Sequence, residues 1–166
     1  ADAANTTVTF NSSATVNSDA SSSKRDLIIK TAGGAIAMQG AIGGSVSLDA
    51  ITINAGGVTR SGTIEVANIG ASGVGVSGAT AIGNTNTGTL TLDGTVYKTT
   101  GSQTYTAATG DKILIGTSGN AVAFNTTNTN VAFNTSDVVL RDGADLTVDT
   151  DSGNNGTITF QGAIHG

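Results

Sequence analysis

Apolar and polar residues alternate along this chain in short runs. Typical runs are Val8-Thr9-Phe10, Ile51-Thr52-Ile53 and Leu90-Thr91-Leu92, each bounded by Gly, Asn, Asp or Ser. Alternation with a period of two predicts β-strands, and the bounding residues predict turns. Strands this short do not form a stable hairpin sheet alone, so we expect them to stack in register on neighbours above and below.

A longer motif recurs along the chain. Residues 34–44 (GAIAMQGAIGG) match residues 156–166 (GTITFQGAIHG), and residues 88–96 (GTLTLDGTV) and 62–66 (GTIEV) are partial copies. Such repetition indicates a solenoid in which aliphatic side chains point inwards and copies stack like on like. We expect the second glycine of the motif to turn a corner with φ > 0. Coils of about 20 to 25 residues, spaced about 4.8 Å apart, give roughly seven turns.

The composition restricts how the core is built. Only 4% of residues are aromatic, there is no Trp and there is one Met, so the core must consist of small and branched aliphatic side chains. Val, Ile and Thr favour strands, and 24 glycines spread along the chain indicate recurrent turns. The absence of Pro suits a chain in which nearly every segment is paired on both sides.

These patterns predict an all-β fold. The predicted architecture is a single-stranded parallel β-helix, or solenoid, of short strands, and the alternative is an antiparallel β-sandwich. We interpret residues 1–166 as a single solenoid unit that is a segment of a longer protein or a subunit of a fibre.

Charge and apolar runs exclude two classes of partner. The net charge is −5, and the cations are dispersed apart from Lys24-Arg25, which we place on an exposed loop, so nucleic-acid binding is not expected. The chain has no apolar run of the roughly 18 residues that a membrane-spanning helix needs. It has no Cys, and therefore no disulfide and no thiolate metal site.

The densest charge is an acidic stretch, which gives the candidate sites. Its members are Asp137, Asp142, Asp145, Asp149 and Asp151. A β-helix enzyme that cleaves polysaccharides needs carboxylates at a defined separation, and the chain has only one histidine, His165. We therefore interpret these aspartates as solvated turn residues and predict no catalytic residue and no enzyme activity.

Asp149 and Asp151 are the weak candidates for a calcium site. They open the segment from Asp149 to Gly156, which resembles the start of a calcium loop, but Phe160 stands where the distal Glu would be. A tight turn is favoured, and no metal or cofactor is predicted.

Two further patterns carry little weight. Thr-X-Thr pairs begin at Thr7, Thr89, Thr104 and Thr157, but their uneven spacing makes an ice-binding solenoid the least favoured function. Asn-X-Ser/Thr triplets begin at Asn5, Asn11, Asn125, Asn134 and Asn155, as expected by chance in a chain this rich in these residues.

One segment resembles a known family. Gly88 to Ala107 contains GTLTLDGTV followed by TTGSQTYT, and it resembles a phrase repeated in filamentous-haemagglutinin-type giant bacterial adhesins. The resemblance extends from about Asp26 onwards. It implies a parallel β-helix shaft, an extracellular or cell-surface location, and structural or adhesive work in attachment or in matrix or filament assembly.

The two open ends of a stacked solenoid indicate which partners to expect. The open edges carry unpaired backbone donors and acceptors, which recruit further strands. We expect further coils of the same polypeptide or end-to-end self-association, with host or matrix glycans as another class of partner. A carbohydrate-binding or carbohydrate-active β-helix is the alternative function.

Overall fold

A computed structural model describes residues 6–57, 60–117, 119–150 and 155–166. The described chain is all-β without a helix and winds into a parallel β-solenoid of about 6 turns. This confirms the predicted β-helix and excludes the antiparallel sandwich. The antiparallel pairing in the described residues is a local hairpin, in which Gly56 pairs with Ser61 and Gly57 with Arg60.

The strands are short, as the sequence predicted. In chain order they are β1 (Val8–Phe10), β2 (Leu27–Thr31), β3 (Ile36–Met38), β4 (Ile51–Gly57), β5 (Arg60–Ser61), β6 (Ile64–Val66), β7 (Thr80–Ile82), β8 (Leu90–Leu92), β9 (Val96–Lys98), β10 (Gln103–Thr106), β11 (Lys112–Ile115), β12 (Ala121–Asn125), β13 (Val131–Asn134), β14 (Asp137–Leu140), β15 (Asp145–Asp149), β16 (Ile158–Phe160) and β17 (Ile164–His165).

Three sheets run along the solenoid. Sheet 1 has the order β1-β3-β6-β8-β11-β14-β17, sheet 2 has β15-β12-β9, and sheet 3 has β16-β13-β10-β7-β4-β2. Isolated parallel bridges link Val16, Ile42, Ile69 and Tyr97 and so continue sheet 2 into the earlier coils. Because each turn contributes to all three sheets, the solenoid has three sides.

The length of a coil can be read from the register. Leu90 pairs with Ile113, 23 residues further on, whereas Ile51 pairs with Thr80, 29 residues further on. The predicted coil length of about 20 to 25 residues therefore fits the shorter coils but not the longer ones, and about 6 turns form where seven were predicted. Corner segments such as the β4–β5 hairpin add residues to a coil without adding a layer.

The core consists of inward side chains stacked in columns. In β4, Ile51, Ile53 and Ala55 are buried while Thr52 and Asn54 are only half-buried, which is the alternation that a one-sided strand requires. The inward column of sheet 1 contains Val8, Ile36, Ile64, Leu90, Ile113, Val138 and Ile164. Full burial of one such aliphatic side chain stabilises the fold by about 1.5–3 kcal/mol.

The second glycine of the repeated motif has a different role from the one predicted. Gly94 does not have a positive φ, but a Cβ there would lie 2.7 Å from the Asn68 Oδ1 atom of the preceding coil. This glycine is therefore required by the close approach of two coils. Positive φ occurs instead at glycines such as Gly83, with a φ of 80°, directly after β7.

The motif copies do not all stack on one another. The copies that contain β3, β6 and β8 are neighbours in sheet 1, as expected. The copy in residues 156–166, however, places β16 in sheet 3. The same motif of a short strand followed by a turn therefore occurs on two different sides of the solenoid.

Candidate functional site

The acidic stretch is spread around one coil. Asp137 begins β14 in sheet 1, Asp142 lies in the following turn with a φ of 51°, and Asp145 and Asp149 occupy the two ends of β15 in sheet 2. Asp145 and Asp149 are four positions apart on one strand, or about 13 Å along it. Paired carboxylates of glycoside hydrolases are separated by roughly 5–9.5 Å. Of the described aspartates, Asp142 lies in a turn, whereas Asp137, Asp145 and Asp149 lie in strands, so the interpretation as turn residues is correct only for Asp142.

The calcium hypothesis on Asp149 and Asp151 is not tested. Asp149 is an exposed residue at the end of β15, whereas Asp151 lies outside the described residues. Within the part of the chain that the structure describes, no group of three or more His, Cys, Asp or Glu side chains is arranged to hold a metal ion.

One aspartate of the stretch holds two coils together. The Asp137 Oδ1 atom accepts a hydrogen bond of 2.9 Å from the Ala163 backbone N–H, and its Oδ2 atom lies 3.4 Å from His165 Nε2. Lys112 is its register partner in the preceding coil. The Ala163 hydrogen bond, followed by His165 and Lys112, lowers the pKa of Asp137. Asp137 and His165 thus attach β17 to β14.

A buried polar cluster lies at the corner between sheets 2 and 3. Gln103 is fully buried, and its Nε2 atom donates to the Tyr97 carbonyl oxygen (2.9 Å), Thr99 Oγ1 (3.1 Å) and the Asn125 carbonyl oxygen (2.9 Å). Its Oε1 atom accepts a hydrogen bond of 2.9 Å from the Tyr105 hydroxyl. Every polar atom of the Gln103 amide is therefore occupied by the protein itself, which indicates a structural cluster.

The two tyrosines of this region are also internal. The Tyr97 hydroxyl donates to the Val66 carbonyl oxygen (2.8 Å) and accepts from the Gly94 N–H (2.9 Å). Burial raises the pKa of both Tyr97 and Tyr105 well above the ordinary tyrosine value. Both hydroxyls therefore remain neutral hydrogen-bonding groups within the core.

This cluster was not predicted from the sequence, in which Gln103 and Tyr105 belong to the segment that resembles the adhesin repeats. The alternation of side chains along a strand could have indicated it, because Gln103 and Tyr105 are two positions apart and therefore both point inwards from β10. Thr80, the register partner of Gln103 in the preceding coil, also points inwards, and its hydroxyl has no hydrogen-bond partner among the described residues.

All six aromatic side chains pack in or against the core. Tyr97, Tyr105, Phe124 and Phe133 are fully buried, and Phe10 and Phe160 are partly buried. Phe133 stacks between Tyr105 (ring centroids 5.3 Å apart) and Phe160 (4.9 Å apart) in sheet 3. The aromatic rings on which a sugar would stack are therefore used for coil-to-coil packing.

From β4 to β16 the central outward column of sheet 3 is uncharged and consists of Thr52, Ala81, Thr104, Ala132 and Thr159. In β2 the same column continues with the exposed Ile28, beside the outward Lys30. The Thr-X-Thr pairs do not form one plane, because Thr9 and Thr91 belong to sheet 1 while Thr104 and Thr159 belong to sheet 3. Ice binding, which needs a flat array of such pairs, gains no support from this arrangement.

The last coil exposes residues that are buried in every inner coil. Ile158 and Ile164 point inwards but are 46% and 50% exposed. Their register partners in the preceding coil, Val131 and Val138, are both 0% exposed. The end of the stack thus presents the surface that one coil normally buries against the next.

The fold defines this chain as a parallel β-solenoid. Comparisons with models of protein families, with curated proteins and with solved structures find no match. In the described residues, no helix has the length and apolar character needed to cross a membrane.

Proposed function

We propose that this chain is a shaft segment of an extracellular bacterial surface protein, with a structural or adhesive role and no enzymatic one. The observation that carries the proposal is the continuity of the inward columns. Columns such as Ile36, Ile64 and Leu90 pass through successive coils and end in an inward surface that is still exposed at Ile158 and Ile164. A structure built in this way lengthens by adding identical layers.

The polar groups support a structural role over catalysis. The Gln103 amide forms hydrogen bonds with Tyr97, Thr99, Asn125 and Tyr105. The Asp137 carboxylate accepts a hydrogen bond from the backbone of the next coil. A general acid or nucleophile has to converge with its partners on a reacting atom. The described polar clusters converge on the protein's own backbone instead.

The exposed end surface supports a partner of the same fold. Ile158, Phe160 and Ile164 repeat the inward pattern of the coil below, and Phe160 already continues the ring stack of sheet 3. Backbone groups at the edges of β16 and β17 add to this surface by strand pairing. We propose that a further parallel coil covers this end, whether from the same polypeptide or from a second copy.

The location and adhesive use rest on the sequence resemblance. The segment from Gly88 to Ala107, which resembles repeats of filamentous-haemagglutinin-type adhesins, folds as β8, β9 and β10 of consecutive sheets. Host or matrix glycans remain the other class of partner that this function would use. Since four of the six aromatic rings are fully buried and Phe10 and Phe160 pack against the core, such recognition would rely on Thr, Asn and Ser side chains of the outer faces.

The topology provides a direct test of the shaft. β1 and β17 both lie in sheet 1, and Ile164 occupies the column that begins with Val8. Residue 166 can therefore be fused directly to residue 11 of a second copy, so that β17 replaces its β1. Each added unit should lengthen the particle by about 30 Å at constant cross-section, since coils are about 4.8 Å apart.

Solution scattering and electron microscopy of one, two and three fused units measure this length. A control in which Ile158 and Ile164 of each internal unit are replaced by Asp should give separate units joined by bends. Fusions of wild-type units that behave as independent globules would contradict the shaft. Loss of viscosity when the chain is mixed with acidic polysaccharide would contradict the non-enzymatic role.

A further inference from the structure

Asn155 and Gly156 form the only Asn-Gly pair of the chain, and they lie just before β16. Asn155 is exposed and Gly156 is half-buried. We propose that this pair is a site of covalent modification, at which Asn155 deamidates through a cyclic imide to a mixture of aspartate and isoaspartate. The modification would act on the attachment of the last coil.

The chemistry needs only water as a co-reactant. The Gly156 backbone nitrogen attacks the Asn155 Cγ atom, the new N–Cγ bond closes a five-membered imide, and the Cγ–Nδ2 bond breaks. The side-chain nitrogen leaves as ammonia with the proton lost by the backbone amide. Water then opens the ring at either carbonyl, which gives aspartate or an isoaspartate whose main chain runs through Cβ.

A glycine after the asparagine makes this attack easiest, because it has no Cβ to crowd the ring closure. The packing of the coils preserves that glycine. A Cβ on Gly156 would lie 2.5 Å from Thr150 Cβ and 2.7 Å from the Thr129 carbonyl oxygen. The close approach that stacks the coils thus excludes the larger residues that would slow the reaction.

Some asparagine side chains in the solenoid, such as that of Asn68, are held by hydrogen bonds in a way that Asn155 is not. Asn68 Oδ1 accepts hydrogen bonds from the N–H groups of Thr95 (2.8 Å) and Val96 (3.1 Å) in the next coil. In the part of the chain described by the structure, no hydrogen bond involves the Asn155 side-chain amide or the Gly156 N–H. Asn155 is therefore free of the restraint that keeps Asn68 away from the backbone nitrogen that follows it.

The product would loosen β16. Thr157, the second residue after Asn155, donates its N–H to Asn130 Oδ1 (2.9 Å) and accepts a hydrogen bond from the Val131 N–H (3.0 Å). An isoaspartate adds one carbon to the main chain immediately before these contacts. It therefore shifts the register of Thr157 against β13, to which β16 is paired.

Incubation of the purified chain in mildly alkaline buffer, followed by peptide mass spectrometry and an isoaspartate-specific methyltransferase, tests the proposal. Asn155 should deamidate about tenfold faster than Asn11, which is also exposed but precedes Ser12. Amide hydrogen exchange in β16 should rise with the isoaspartate content in the wild type, and it should stay constant over the same time in the Asn155→Gln variant.

Two results would overturn the proposal. Deamidation at Asn155 that is no faster than at Asn11 would show that the local structure blocks the attack. Deamidation without increased exchange in β16 would show that the last coil does not depend on the backbone at this position.

Discussion

Asp93 and Arg141 form an ion pair that spans two steps of the solenoid. Arg141 Nη1 lies 3.2 Å from Asp93 Oδ1, although 48 residues separate them in the chain. They follow Leu92 and Leu140 in sheet 1, and the coil between them has Gly116 at the equivalent position. The ion pair therefore bridges the coil that contains Gly116.

Gly116→Ala should lower the free energy of unfolding by about 1–3 kcal/mol, because of backbone strain and crowding. Gly116 has a φ of 86°, and a Cβ there would lie 2.5 Å from Ala144 Cβ. Gly73→Ala is the matched control, because nothing lies within 4 Å of a Cβ at that position. Chemical denaturation of both variants measures the difference, and equal effects would contradict the role assigned to Gly116.

Gln103→Leu should destabilise the protein by at least about 2 kcal/mol. The substitution removes one hydrogen-bond donor from the Tyr97 and Asn125 carbonyl oxygens and leaves the Tyr105 hydroxyl without its acceptor. The Asn125 carbonyl oxygen keeps its hydrogen bond from the Thr99 N–H. Adding Tyr105→Phe to that variant removes the unpaired hydroxyl and should recover part of the loss. Gln39→Leu, at an exposed position, is the control and should be nearly neutral.

The variant that combines Gln103→Leu with Tyr105→Phe tests whether the Gln103 amide stabilises the protein through its hydrogen bonds. If the effects of Gln103→Leu and Tyr105→Phe on the free energy of unfolding simply add, the two side chains are not coupled. That result would contradict the buried cluster.

Thr80→Val should increase stability by about 1 kcal/mol. Thr80 is 1% exposed, and its Oγ1 atom has no hydrogen-bond partner among the described residues. Valine keeps the shape of the side chain and removes the unpaired hydroxyl. The control is Thr52→Val, which changes an outward residue of the same sheet and should have little effect on the thermal midpoint. A destabilised Thr80→Val variant would show that the hydroxyl is engaged.

Asp137 should make stability fall in acid. Its pKa is lowered in the folded state, chiefly by the Ala163 N–H. The stabilisation is therefore fully present above the pKa of an unfolded aspartate, about 3.9, and is lost as the pH falls through the lower folded value. The free energy of unfolding of the wild type should decline more steeply over this range than that of Asp137→Asn. Parallel pH profiles would contradict the prediction.

The fold was predictable where it depends on local periodicity. Alternation in segments such as Ile51-Thr52-Ile53 identifies the strand and its buried side, because side chains in a strand alternate between two faces. The interpretation of the acidic stretch as turn residues was wrong for Asp137, Asp145 and Asp149, which lie in strands, because exposed strand ends accommodate charge as readily as turns do. The full burial of Gln103 was harder to predict from the sequence, because glutamine is rarely found inside a protein.

Local alternation in the sequence predicted short one-sided strands, and the repeated motif favoured parallel stacking over the antiparallel sandwich. Which copies of the motif meet, how many turns form, and the placement of β16 on a different side from β3 depend on the folded chain as a whole. Alternation sets which face of a strand is buried, whereas the length of each corner segment sets where the next strand begins. Pairs such as Asp93 and Arg141 depend on the sum of those lengths, which no local pattern records.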